Sequence, residues 1–257
     1  MKKFCTPIAL AAAALTLSIG AQAGVLRAVI DFEYPVNGDT TPFAPSAPFL
    51  GNGDEFYQPG IAGHTMYFDP FSTATGAQTG DLVGALIDGS TLAQCSSGLV
   101  CPSNNPTQFL GLLNDGVVVF GATDGFRFSV KSFKAGFIAN GTGDPLGAVP
   151  GLIRLRGVLG GVTTDFTAAL TGPDGSGNLN FANYVTNGAF ATKEFDYVYA
   201  YGFACPVGAV TCSAFSTNRA QFAIDDIAIE HVPEPGSLAL IGLAGFAAFG
   251  ARRRRLV

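Results

Sequence analysis

An all-β fold, an antiparallel β-sandwich of jelly-roll type, is what this sequence predicts, and three observations predict it. The 257 residues include 34 Gly, 15 Pro and 22 Phe. Only 13% of residues are charged, so the Lys, Glu and Arg that coat exposed helices are scarce. Apolar and polar residues alternate with period two over short stretches, and clusters of Gly, Asn, Asp and Pro separate them.

The elements follow in chain order. Lys2 and Lys3 open a charged start, Ile8 to Ile19 form an apolar run, and Ala21-Gln22-Ala23 is a small-x-small cleavage site. Residues 1–23 therefore read as a helical signal peptide cut between Ala23 and Gly24, with the Sec translocon as export partner. The run is too short for an ordinary membrane span. Cys5 precedes it, which argues against a lipoprotein anchor.

Residues 24–231 are the expected folded domain, about the size of one sandwich. Strands are expected at Val25–Glu33, Val117–Phe120, Phe126–Val130, Ile153–Arg156, Phe195–Phe203 and Ala220–Glu230. Turn clusters stand at residues 37–39, 51–54, 140–144 and 172–177. Pro35 to Gly60, rich in Pro and Gly, reads as a long loop. No amphipathic helix is expected between the ends.

Phe195, Tyr197, Tyr199, Tyr201 and Phe203 fall on one face of a single strand. They read first as sandwich interior. The alternative is a sugar platform of exposed tyrosines, which the absence of Trp weakens.

Four cysteines remain after signal cleavage. Even number, close spacing and Gly/Pro-rich interiors favour local disulfides Cys95–Cys101 and Cys205–Cys212 over cross pairing. Zinc is a poor alternative, because the spacings are long and the chain has two His.

Residues 24–231 hold 18 acidic and 8 basic side chains, a net of −10. That excludes a nucleic-acid partner, which needs a cationic face. Enzyme signatures are thin. His64 lies in a Gly/Pro-rich stretch and reads as a surface or hydrogen-bonded residue, and His231 lies at the domain exit. Neither sits in a nucleophile motif, and no G-x-S-x-G or H-E-x-x-H occurs. No catalytic residue is assigned. A secreted glycan hydrolase stays as an alternative that needs two converging carboxylates.

The last strand breaks its own pattern. Phe222 and Ile224 share one face and Ile227 and Ile229 the other, so a β-bulge at Asp225-Asp226 is expected. A first strand ending Asp31-Phe32-Glu33 and a last strand with Ile224-Asp225-Asp226-Ile227 resemble the jelly rolls that include MAM domains and galactose-binding-like carbohydrate-binding modules. That resemblance implies a structural calcium ion bridging the two strands, with Glu33 and Asp226 as first ligands and Asp31 and Asp225 as helpers. No other cofactor is implied.

The tail, residues 232–257, has three parts: Pro233-Glu234-Pro235, an uncharged apolar run from Ser237 to Ala251, and Arg252, Arg253, Arg254 and Arg255. The prolines break regular structure. The apolar helix is shorter than a comfortable span. The arginines act as a cytoplasmic stop. The three parts in this order resemble the PEP-CTERM sorting signal of Gram-negative bacteria that make exopolysaccharide. Gln221-Phe222-Ala223-Ile224-Asp225 also resembles the Q-F-x-x-D signature of one uncharacterised PEP-CTERM subfamily. The resemblance implies an exosortase as processing partner, transient inner-membrane anchoring, and delivery to the outer surface or matrix. The expected function is a non-enzymatic structural or adhesive component associated with exopolysaccharide or biofilm. A carbohydrate-binding module with structural calcium is the nearest alternative.

Overall fold

A computed structural model describes residues 24–33, 36–37, 49–95, 98–141 and 145–233. Residues Arg27–His231 form one compact unit. The strands in chain order are β1 (Leu26–Ile30), β2 (Val36–Asn37), β3 (Phe49–Gly51), β4 (Phe56–Pro59), β5 (Thr65–Phe71), β6 (Leu82–Asp88), β7 (Gln108–Leu112), β8 (Val117–Ala122), β9 (Ser129–Phe137), β10 (Gly151–Leu159), β11 (Val162–Leu170) and β12 (Ala182–Val185). A five-residue helix, α1 (Gly188–Thr192), then precedes β13 (Tyr197–Ala204) and β14 (Phe222–His231).

The strands form two sheets. The first runs β12-β9-β14-β7-β6-β3, with β1 also on β14; the second runs β11-β10-β13-β8-β5-β4-β2. The chain passes from one sheet to the other after β1, β2, β3, β5, β7, β8, β9, β11, β12 and β13. The result is the expected β-sandwich.

The strands read from the sequence are present with shifted ends. Regular pairing of β9 starts at Ser129, three residues after Phe126, and β13 starts at Tyr197. One expectation is corrected. The Pro35–Gly60 stretch is not all loop, because β2, β3 and β4 lie in it. Strands of two to four residues are too short to show a period against Gly-rich flanks. Among the described residues no helix is long and apolar enough to cross a membrane. The signal helix, the C-terminal apolar helix, Glu234, Pro235 and the four arginines lie outside the described residues.

Phenylalanine fills the space between the sheets. Phe56, Phe68, Phe120, Phe195 and Phe222 are fully buried. Each such ring contributes about 1.5–3 kcal/mol relative to exposure. The rings need room, and glycines on the second sheet provide it. A Cβ at Gly157 would stand 2.4 Å from the Phe195 ring, and one at Gly202 would stand 3.0 Å from Phe222.

The outer face of the first sheet is closed by a second small core. Ala85 and Ile87 of β6, Phe109 of β7 and Ala223 of β14 pack there with Ile138 and Phe181, beneath Cys95 and Cys101. The register places them together, because Ala85 pairs with Gly111, Gly111 with Ala223, and Ile87 with Phe109. The Cys95–Cys101 disulfide ties the covering segment, and a second disulfide joins Cys205 to Cys212. The local pairing is the one the spacing favoured.

Candidate functional site

Two places merit attention as sites: the fork at Asp225 and the outer face of the second sheet.

The expected bulge is at the fork. The β14–β9 register shifts between Asp225 and Ala228 and again between Ala228 and Ile229, and Asp226 has a φ of 46°. The extra residue turns the strand, so Phe222, Ile224, Ile227 and Ile229 are all buried. β7 pairs with β14 from Phe222 to Ile224. β1 joins the same strand, with Arg27 paired to Glu230 at 2.7 Å.

The four acids named for calcium meet different partners. The Asp225 side chain is fully buried and its Oδ2 accepts from Asn105 Nδ2 at 2.7 Å. Its Oδ1 is buried with no hydrogen-bond partner. Burial pushes this carboxyl from the ordinary 3.8 up to about 7, against the lowering effect of Asn105. Asp226 is held by Lys134 at 2.6 Å. Glu33 Oε1 accepts from the Gln108 backbone N–H at 2.7 Å, and Asp31 Oδ1 accepts from the Glu33 N–H at 3.2 Å. Among the described residues, no group of three or more His, Cys, Asp or Glu side chains stands close enough to hold a metal ion. As a test of fit to calcium, Asp225 Oδ1 offers a free oxygen, whereas Asp226 is committed to a cation already.

The second place is one that sequence reasoning assigned to the interior. The tyrosine stripe of β13 points outward. Val198 and Ala200 are buried between the sheets, whereas Tyr197, Tyr199 and Phe203 are half-buried on the outer face. Tyr201 is covered from outside by Phe215, with ring centroids 5.3 Å apart. Phe195 does not share this face; the regular pleat begins only at Tyr197, and the Phe195 ring is buried against Gly157.

The register extends the stripe across the sheet. Tyr57 pairs with Tyr67, Tyr67 with Gly121, and Gly121 with Tyr197. Two residues along, Asp69 pairs with Val119, Val119 with Tyr199, Tyr199 with Arg156, and Arg156 with Asp165. Five of the seven tyrosines, Tyr57, Tyr67, Tyr197, Tyr199 and Tyr201, thus lie on one sheet face. No single-strand period could show this, because the rows are made by pairing.

The rings are held in place. Tyr197 and Tyr199 pack edge to face at 5.5 Å. Tyr57 donates to Glu55 Oε2 at 2.7 Å. The Tyr67 ring rests over Gly121, where a Cβ would stand 2.9 Å from its Cε1. Burial, then the neighbouring Tyr197 and Tyr199, raise the Tyr67 phenol above its ordinary value. Asp69 lies among these rings, and no described residue donates a hydrogen bond to it. Burial and then Glu55 raise its carboxyl. At the other end of the face, Arg156 makes a two-point contact with Asp165 at 2.7 and 2.8 Å, and Arg154 lies 4.9 Å from the Phe203 ring.

The two histidines share a neighbour. His64 stacks on Phe126 at 3.8 Å and pairs with Asp124 at 2.6 Å, as a hydrogen-bonded surface residue should. His231 lies 4.3 Å from the same Phe126 ring and 3.1 Å from Glu194. Neither stands beside a nucleophile in these contacts.

Fold and faces together define a disulfide-bonded β-sandwich with one capped and one open outer face. The family model of the PEP-CTERM protein-sorting motif matches residues 231–255. The chain therefore carries a sorting motif, and such a motif implies an exported protein that an exosortase processes for the envelope or surface of a Gram-negative bacterium. No curated protein matches the chain. Among solved structures it is similar to the X-ray structure of GH31 CBM32-2 bound to GalNAc, with a TM-score of 0.28 and 13% identity, covering 64% of this chain and 97% of that one. A likeness at that score carries no functional weight.

Proposed function

We propose that the mature protein is a non-enzymatic component of the outer surface or matrix, anchored briefly at the inner membrane by its tail and then associated with exopolysaccharide. The observation that carries this reading is an outward-facing aromatic sheet on a chain that ends in a sorting motif. An aromatic face offers broad contact area without a reaction centre. Glycosidic hydrolysis would instead require two carboxylates flanking a bound sugar. The test is to express the chain with and without residues 232–257 in an exosortase-bearing host and to fractionate the cells. The intact chain is expected in the surface or matrix fraction, co-eluting with polysaccharide. Its retention in the periplasm, or identical behaviour of the truncated chain, overturns the reading.

A second reading is favoured by one atom, the unpartnered Oδ1 of Asp225. Calcium held there with Glu33, and with Asp31 and Asp226 further out, would be structural and would tie β1 to β14. Addition of calcium at pH 8 is then expected to raise the melting temperature and a chelator to lower it. Equal melting temperatures in both buffers dismiss calcium.

A further inference from the structure

The outer face of the second sheet carries more than contact area. Its centre holds Asp69, a carboxylate to which no described residue donates a hydrogen bond. The carboxyl lies among rings and is only half-buried, so it stays open to water and is free to accept from the hydroxyls of a ligand. Around it stand tyrosines with part of each ring exposed: Tyr67 in the next row and Tyr197 and Tyr199 two strands away. Neighbouring strands are about 4.8 Å apart, so these rings sit within reach of one extended ligand.

The choice of residue is informative. Covering a sheet needs only apolar rings, and this chain has 22 Phe against 7 Tyr. Phe fills the interior, with Phe71 and Phe203 also on this face, whereas five of the seven Tyr are concentrated here. Tyr adds a hydroxyl to a stacking surface. Gly121 keeps the platform low, because any side chain there would press on the Tyr67 ring from below.

Charge selects the ligand class. Asp69 and Glu55 lie at the tyrosine end, and the folded part carries a net of −10. A uronic-acid or phosphate polymer would be repelled there. The cations of the face, Arg154 and Arg156, are engaged with Phe203 and Asp165. A neutral sugar chain has apolar ring faces for the tyrosines and hydroxyl donors for the carboxylate.

We propose that this face binds a neutral pyranose polysaccharide, with Tyr67, Tyr197 and Tyr199 stacking on its sugar rings and Asp69 accepting from its hydroxyls. The proposal rests on the surface-protein reading above and names the ligand class and the residues. It makes the face a binding site, with no bond made or broken.

The full chain, purified in detergent, is run in gels containing dextran, hydroxyethylcellulose, galactomannan or polygalacturonate. Retardation by at least one neutral polymer is expected, with none by polygalacturonate. Tyr199→Ala and Tyr67→Ala should each weaken binding at least tenfold, Asp69→Asn severalfold, and Gly121→Ala should act in the same direction. Tyr184→Ala, on the first sheet, should leave binding unchanged. Unfolding midpoints measured in parallel separate lost binding from lost fold. The chain has no Trp and five of its seven tyrosines lie on this face, so tyrosine fluorescence reports chiefly on it. Three results overturn the proposal: no retardation by any neutral polymer, equal retardation by polygalacturonate, or binding that survives Tyr67→Ala combined with Tyr199→Ala. A concentration-dependent dimer abolished by those same substitutions also overturns it, by assigning the face to a second copy. Surface localisation with no glycan retardation leaves the export reading standing while this one falls.

Discussion

Both sheets carry apolar side chains on their outer faces, and the molecule treats the two faces differently. On the first sheet, Ala85, Ile87, Phe109 and Ala223 are sealed under Phe181 and a disulfide-tied segment. On the second, Tyr67, Tyr197, Tyr199 and Phe203 remain partly open to water. The sealed face uses side chains with no polar atom to satisfy. The open face uses rings with hydroxyls, interleaved with Asp69, Arg154, Arg156 and Asp165. Burial on the first face is therefore a matter of stability, and exposure on the second leaves area free for a partner.

Substitutions can break or sharpen this contrast. Phe109 is fully buried and meets Phe181 edge to face at 5.0 Å. Phe109→Ala is expected to cost about 3–5 kcal/mol in urea unfolding, against less than about 1 kcal/mol for Tyr199→Ala. Equal costs would mean that the second face is as much a core as the first.

The fork gives a pH signature. The raised Asp225 carboxyl binds a proton in the folded state that the unfolded chain has lost above 3.8. Its stabilising contribution is complete below about pH 4 and is lost as pH rises through about 7. The full shift corresponds to roughly 4 kcal/mol. Asp225→Asn should flatten the melting-temperature profile between pH 4 and 8 and raise its alkaline end. A profile unchanged by the substitution would show that Asp225 is not the titrating group.

Removal of the Cys95–Cys101 bridge by double Ala substitution should cost about 2–3 kcal/mol. Both cysteines are buried in the capping core. The Cys205–Cys212 loop instead exposes Val207 and Val210, and its removal should cost less. Denaturant midpoints of the two double variants give the order directly; the reverse order would detach the capping core from its disulfide.

The smallest effect is expected at the open face. Arg156→Lys replaces a two-point contact to Asp165 with a single one. The pair is partly exposed, so a loss of about 0.5–1 kcal/mol is expected, shrinking in high salt. A larger, salt-insensitive loss would mean that the face is drier than its exposure indicates.

What could be read in the sequence was local. The period-two runs at β9, β10, β13 and β14 gave strands, because side-chain alternation is written along one segment. The change of apolar face across Asp225-Asp226 gave the bulge for the same reason. Cysteines six and seven residues apart could close small loops without knowledge of the fold. The interior role expected for the β13 tyrosines failed because alternation tells which residues share a face and not which face the protein buries. The short strands β2, β3 and β4 escaped notice, since two to four residues beside glycines carry no period.

Composition, alternation and tail motif alone determined an exported β-sandwich with two local disulfides. Only the tertiary structure decided which outer face is sealed, that Tyr57 and Tyr67 join the β13 tyrosines in one field, and that Asp69 lies among them. Those facts depend on strand pairing between segments far apart in the chain. Pairing is set by how the Phe-rich inner faces fit against the glycines opposite them, a condition on the whole packed core that no short stretch of sequence records.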